Sequence, residues 1–230
     1  TGTIMSTPYN IIGLTGPKGC GKDTVAALLR THAGFYSLAF ADALREEVCD
    51  AWRFEPVYLI RPETKEHPLS DLALRKCQSD SFVGRMVIWA SSTGKTLDLD
   101  APRSPRQIMQ WWGTEYRRAQ DPDYWTVMLE RRIESLLLSG QTRLVVTDVR
   151  FDNEAATVRA EPFGAKIWAI TRPGCSVPAG SHVSETSGQR FTPDAVIDNS
   201  GDILHLRQQV LNRWWALDAG LTNVNAEITA

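Results

Sequence analysis

The sequence predicts an α/β domain: a largely parallel sheet flanked by helices. Three observations predict it. Short apolar runs alternate with helical patterns along most of the chain. A glycine loop joins the first such run to the first helix. A later apolar run ends in an acid.

The first run, Asn10-Ile11-Ile12-Gly13-Leu14-Thr15, reads as a strand. Gly16-Pro17-Lys18-Gly19-Cys20-Gly21-Lys22-Asp23-Thr24 follows it. This is the phosphate-loop pattern G-x-x-x-x-G-K-[S/T] with Asp23 in the hydroxyl position and Thr24 next to it. Residues 24–30 read as a helix with an apolar face. Strand, loop and helix in that order aim backbone N–H groups and a helix N-terminus at a phosphate chain. Gly16, Gly19, Cys20, Gly21, Lys22, Asp23 and Thr24 are therefore the candidate nucleotide cradle, with Lys22 reaching the β- and γ-phosphates.

Residues 35–40 predict a second strand and residues 41–48 a helix with Asp42 near its start. Residues 53–104 are polar, carry Pro56, Pro62, Pro68 and Pro102, and show broken periodicity. They read as an insertion with short helices over 70–77 and 81–89. Ser104 followed by Pro105 marks a helix start. Residues 124–139 form a patterned helix, with Leu129, Ile133, Leu136 and Leu137 on one face. Residues 143–148 read as a buried strand ending in Asp148, and 153–160 as a helix. Strands follow at 165–171 and 195–199, then a closing helix at 204–217.

Other residue groups suit phosphate chemistry. Asp148, at the end of a strand, lies where open α/β sheets bind ligands. It would hold Mg²⁺ or its water, or orient an acceptor. Arg150 follows it, and Arg grips phosphate in fork geometry. Arg106 and Gln110 share a helix face at i, i+4, joining a phosphate binder to a base-edge reader. Trp111 and Trp112 beside them suit core packing better than stacking on a ligand. Arg172 opens a Gly/Pro/Ser-rich stretch that suits a lid, and His182 within it carries little weight as a catalytic group.

The 230 residues can bury a substantial core, and 43% hydrophobic with 23% charged residues is an ordinary globular balance. The net charge of −2 argues against DNA as a partner. Cys20, Cys49, Cys77 and Cys175 lack zinc or disulfide spacing, which predicts a reducing cytoplasm. No apolar run approaches a membrane span. Thr1–Ile4 precede a Met and are set aside.

Four segments together resemble the phage deoxynucleoside monophosphate kinase family, a branch of the P-loop nucleoside monophosphate kinases. They are residues 13–26, Phe40-Ala41-Asp42-Ala43-Leu44-Arg45, residues 104–115 from Ser104 to Glu115, and residues 148–155 from Asp148 to Ala155. His182-Val183-Ser184-Glu185 also fits. The resemblance implies a P-loop kinase fold over 8–220, with an acceptor-binding insertion near 53–104, a lid near 172–190 and a tail at 221–230. It implies transfer of the γ-phosphate of ATP, with Mg²⁺, to a deoxynucleoside monophosphate. Lys22, Arg106, Asp148, Arg150 and Arg172 are the expected catalytic residues. Asp42, Arg45, Arg106, Gln110, Trp112, Glu115, Arg117, Trp125 and Arg150 are the expected acceptor contacts. Asp23, Thr24 and Asp148 are the expected metal ligands. The implied setting is the cytoplasm, the host's for a phage-encoded chain, and a homodimer stays open.

Two rival readings stand beside this one. One is a phosphate-loop kinase with another acceptor, such as a hydroxymethylated pyrimidine in DNA, dephospho-coenzyme A or phosphomevalonate. The other is a nucleotide-binding switch without turnover.

Overall fold

The computed structural model describes residues 10–175 and 191–219. Contacts divide the chain into two compact units. One comprises residues 1–39 and 130–230, the other residues 40–129. The expected tail, most of the expected lid, and His182 lie outside the described residues.

The first unit is built on five strands: β1 (Asn10–Thr15), β2 (Tyr36–Leu38), β3 (Arg143–Val146), β4 (Lys166–Thr171) and β5 (Ala195–Asp198). All pairings are parallel, and the order is β2-β3-β1-β4-β5. Parallel strands need crossovers, and helices supply them. They are α1 (Lys22–Ala33) between β1 and β2 and α8 (Asp152–Arg159) between β3 and β4; α9 (Ile203–Asp218) follows β5.

Side chains alternate across each strand, so β1 feeds both faces. Ile12 and Leu14 join Val25 and Leu29 of α1 and Leu206, Val210 and Trp214 of α9 in one core cluster. Gly13 points the other way, where an added Cβ would meet Val149, Val158 and Ile167. Alternation and crossover together put helices on both faces, as expected.

Two strands are shorter than their apolar runs. Phe40 opens a helix and so leaves β2. Beyond β3, Thr147 donates its N–H to Leu38 O at 3.0 Å, and Val149 donates to Leu14 O at 3.0 Å. The chain thus leaves the regular ladder, and Asp148 stands just past the strand's end.

The second unit is helical. It holds α2 (Phe40–Trp52), α3 (Pro56–Ile60), α4 (Pro62–Lys65), α5 (Asp80–Ser92) and α6 (Pro105–Gln110), with a π-helix at Trp111–Arg118. The Tyr124–Leu138 helix, α7, begins here. Two 3₁₀ turns, Ser70–Leu72 and Leu74–Lys76, replace the single helix expected over 70–77. Helices α5 and α6 start on side-chain caps. Ser79 Oγ accepts from Phe82 N at 3.3 Å, and Ser104 Oγ from Gln107 N at 3.2 Å. The core is aromatic. Phe82 packs on Trp112 at 4.6 Å, and Trp52 stands edge-on to both. Among the described residues no helix is long and apolar enough to cross a membrane.

Candidate active site

The glycine loop lies between β1, the central strand, and α1. In open α/β sheets the ligand crevice lies at the carboxyl ends of the strands. Gly16 has φ +133° and Gly21 φ +108°, conformations that favour glycine. A Cβ on Gly16 would lie 2.4 Å from Ile170 O and 2.9 Å from Cys20 Sγ. The loop's curvature therefore excludes side chains at these points and leaves a cradle of backbone. Gly21 is the N-cap of α1, with no side-chain cap bond. An uncapped first turn directs its N–H groups outward, the arrangement that receives an anion.

Lys22 folds back over this cradle. Its Nζ donates to Gly16 O at 2.6 Å and Pro17 O at 2.8 Å. Burial pushes its pKa down. Cys20, Asp23 and Asp148 push it up, and the Arg150 charge adds to the lowering. The charges of Asp23, Asp148 and Arg150 thus all act on Lys22. Burial raises the pKa of the Cys20 thiol, with Lys22 opposing, so the loop carries no thiolate towards a phosphate. Arg150 is held through its backbone: its N–H donates to Glu154 Oε2 at 2.8 Å, and Phe151 N donates to the same oxygen at 3.1 Å. Glu154 is 2% exposed. Arg172 is exposed in the turn after β4, the strand beside β1.

The cradle fits a polyphosphate. Asp23, Thr24 and Asp148 offer two carboxylates and a hydroxyl. These are hard oxygen donors of the kind Mg²⁺ takes while keeping water and phosphate oxygens in its shell. Among the described residues no three His, Cys, Asp or Glu side chains form a cluster, so a fully protein-made cage is not what this set provides.

Apart from Arg150, the acceptor candidates fall in the helical unit. Arg106 and Gln110 lie on α6, both half-buried, and Arg106 Nε pairs with Glu66 Oε1 at 2.6 Å. Arg45 pairs with Asp42 at 2.6 Å on α2. Trp112 is 3% exposed and Trp125 4%. Their indole N–H groups donate to Glu47 Oε2 at 2.6 Å and Gly113 O at 3.0 Å. Both rings are thus core side chains with satisfied donors. Arg117 donates to Glu47 Oε2 at 2.8 Å and lies over the rings of Tyr116 and Tyr124. Tyr124 OH also donates to Glu47. Glu115 is half-buried in the π-helix.

Sequence reasoning missed three organising residues: Glu47, Glu66 and Glu154. Glu154 alone had a local signal, an acid two residues into a helix that begins at Asp152.

A backbone cradle at the end of a central parallel strand, with a lysine over it and acids beside it, defines a phosphate-loop α/β protein. The family model for deoxynucleotide monophosphate kinase matches residues 74–210, more than half of the chain, and the chain belongs to that family. It is a phosphotransferase, a kinase acting on a nucleotide-like substrate. A protein of Acanthamoeba polyphaga mimivirus named "Putative deoxynucleotide monophosphate kinase" is 26% identical over 218 residues, covering 88% of this chain and 94% of that one. Among solved structures, dephospho-CoA kinase from Campylobacter jejuni aligns with TM-score 0.47 and 15% identity, over 92% of this chain and 98% of that one. TT1252 from Thermus thermophilus aligns with TM-score 0.43 and 20% identity, over 90% and 97%.

Proposed function

We propose that the protein transfers the γ-phosphate of ATP to deoxynucleoside 5′-monophosphates, yielding diphosphates. The observation that carries this reading is the Gly16–Thr24 cradle with Lys22 folded over it, in a chain of the deoxynucleotide monophosphate kinase family. Phosphoryl transfer asks for alignment, charge neutralisation and exclusion of water rather than covalent help. An acceptor phosphate is already anionic and needs no strong general base.

In this reading the loop amides and Lys22 hold the β- and γ-phosphates. Asp23, Thr24 and Asp148 would hold Mg²⁺, directly or through water, and the ion would supply charge neutralisation at the phosphates. Arg150 and Arg172 grip the transferred group. Arg106 and Gln110, with Asp42 and Arg45, take the acceptor. Glu115 and Arg117 stay in that set as contacts at its margin. Trp112 and Trp125 support it from the core.

The test follows label from γ-labelled ATP into each free deoxynucleoside monophosphate, each ribonucleoside monophosphate, dephospho-coenzyme A, and duplex DNA with ordinary or hydroxymethylated pyrimidines. Label on free deoxynucleoside monophosphates is the expected result. Label on DNA or dephospho-coenzyme A alone overturns it. Tight ATP binding without transfer to any acceptor would identify a switch.

A further inference from the structure

The phosphate loop is held by a residue from near the far end of the chain. Cys20 O accepts a hydrogen bond from Asn199 Nδ2 at 2.8 Å across 179 positions of sequence. Asn199 is the first residue after β5, and its own N–H donates to Thr171 O at 2.8 Å. The residue before it is equally fixed. Gln209 of α9 accepts the Asp198 N–H at 3.2 Å and donates to Asp198 O at 2.7 Å. The Asp198 carboxylate accepts the Ser200 N–H at 3.1 Å and hydroxyl at 2.6 Å. The Asn199 amide therefore stands on a tied platform. The fit is close: a Cβ on Gly21 would lie 2.4 Å from Asn199 Nδ2.

A trans peptide is planar, with its C=O and N–H pointing in opposite directions. The Cys20 carbonyl and the Gly21 N–H belong to one such plane. Drawing the carbonyl towards Asn199 turns the N–H the other way. The free φ of Gly21 makes rotation of this plane cheap, so the sequence alone leaves its orientation open. A rotated plane would present an oxygen where an anion needs a donor.

We propose that Asn199 is a positioning residue for ATP: it fixes the Cys20–Gly21 peptide plane so that the Gly21 N–H serves the phosphate chain. The inference rests on residues 16–24 being the ATP site. Donors preorganised for developing or bound charge cost no reorganisation when the ligand arrives.

ATP binding to the full chain, with Mg²⁺ present, is measured by titration calorimetry for the parent protein, Asn199→Leu and Lys22→Ala. The acceptor KM and the thermal midpoint are recorded alongside. Asn199→Leu keeps the approximate volume and removes the donor. The Kd for ATP is expected to rise about tenfold in Asn199→Leu, the scale of one buried carbonyl left unsatisfied, with the acceptor KM within about twofold. An unchanged ATP Kd in Asn199→Leu beside a weakened Lys22→Ala overturns the positioning role and leaves the loop reading standing. Unchanged ATP binding in Lys22→Ala overturns the loop reading, and the proposal falls with it. Equal weakening towards ATP and acceptor, together with a lowered thermal midpoint, marks a merely structural residue and also overturns the proposal. If Asn199→Leu does not fold, Asn199→Ala is judged by the same split.

Discussion

Lys22 donates to the Gly16 and Pro17 carbonyls, a partner set that a phosphate chain would replace. Lys22→Ala is expected to lower kcat/KM by about 10²–10³-fold, the scale of one lost electrostatic donor, with the folded state retained by circular dichroism. The lowered pKa adds a pH prediction. Burial favours the neutral amine in the folded state, so the protonated lysine costs stability below its folded pKa. That cost fades as pH rises from there towards the ordinary 10.5. A bound polyphosphate favours the ammonium instead. ATP binding is therefore expected to take up a proton in the alkaline range and to weaken as pH rises through the lowered pKa. Calorimetry in two buffers of different ionisation enthalpy measures the uptake, and Lys22→Ala should remove it. Arg106 presents the acceptor half of the chemistry. It is 19% exposed in its side chain and paired with Glu66. Arg106→Ala is expected to raise the acceptor KM at least about tenfold while the ATP KM changes less than about twofold, since a clamp on one ligand is lost. Equal changes would remove Arg106 from the acceptor set. The phosphate-loop residues were legible because their motif is contiguous. Glu66 was not, because nothing near it in sequence marks it as the partner of a residue 40 positions away.

At the scale of elements, the helical unit is tied by one carboxylate. Glu47 on α2 accepts from Trp112 and Arg117 of the π-helix and from Tyr124 at the start of α7. Glu47→Ala leaves these donors unmet, and a loss of about 2–4 kcal/mol in unfolding free energy is expected by urea titration. Glu47→Gln should cost less, since an amide oxygen still accepts. The tyrosine reports the contact. Burial, then the Glu47 hydrogen bond, raises Tyr124 to about 12. Its pKa is raised on folding, so the associated stability is complete below pH 10 and is lost between 10 and 12. Ultraviolet titration should show this slow tyrosine, and Glu47→Gln should move it down. Element types followed from periodicity and caps: Ser104 with Pro105 marked the α6 start that the structure contains. The π-helix after it was not legible. Its widened turn depends on which partners Trp112 and Arg117 find, and sequence spacing does not record them.

The whole molecule carries a net charge of −2, and Arg45, Arg106, Arg117 and Arg159 are each paired with an acid. Non-specific DNA binding draws its energy from phosphate neutralisation and counterion release. Duplex DNA is therefore expected to bind more weakly than about 10⁻⁴ M at physiological salt, with a shallow salt dependence. Fluorescence anisotropy over a salt series measures both, and a steep slope would bring back the DNA acceptor. The alternation of strand and helix, the position of the cradle and the parallel character of the sheet were all determined by the sequence itself. Each depends on neighbours within a turn or a strand, where hydrogen bonding and side-chain period act. The order β2-β3-β1-β4-β5, the closing of Asn199 on Cys20 and the gathering of three donors at Glu47 were decided only by the tertiary structure. These contacts join residues far apart in the chain. They exist only once the crossovers have stacked the strands and the helices have packed, and no local pattern encodes that.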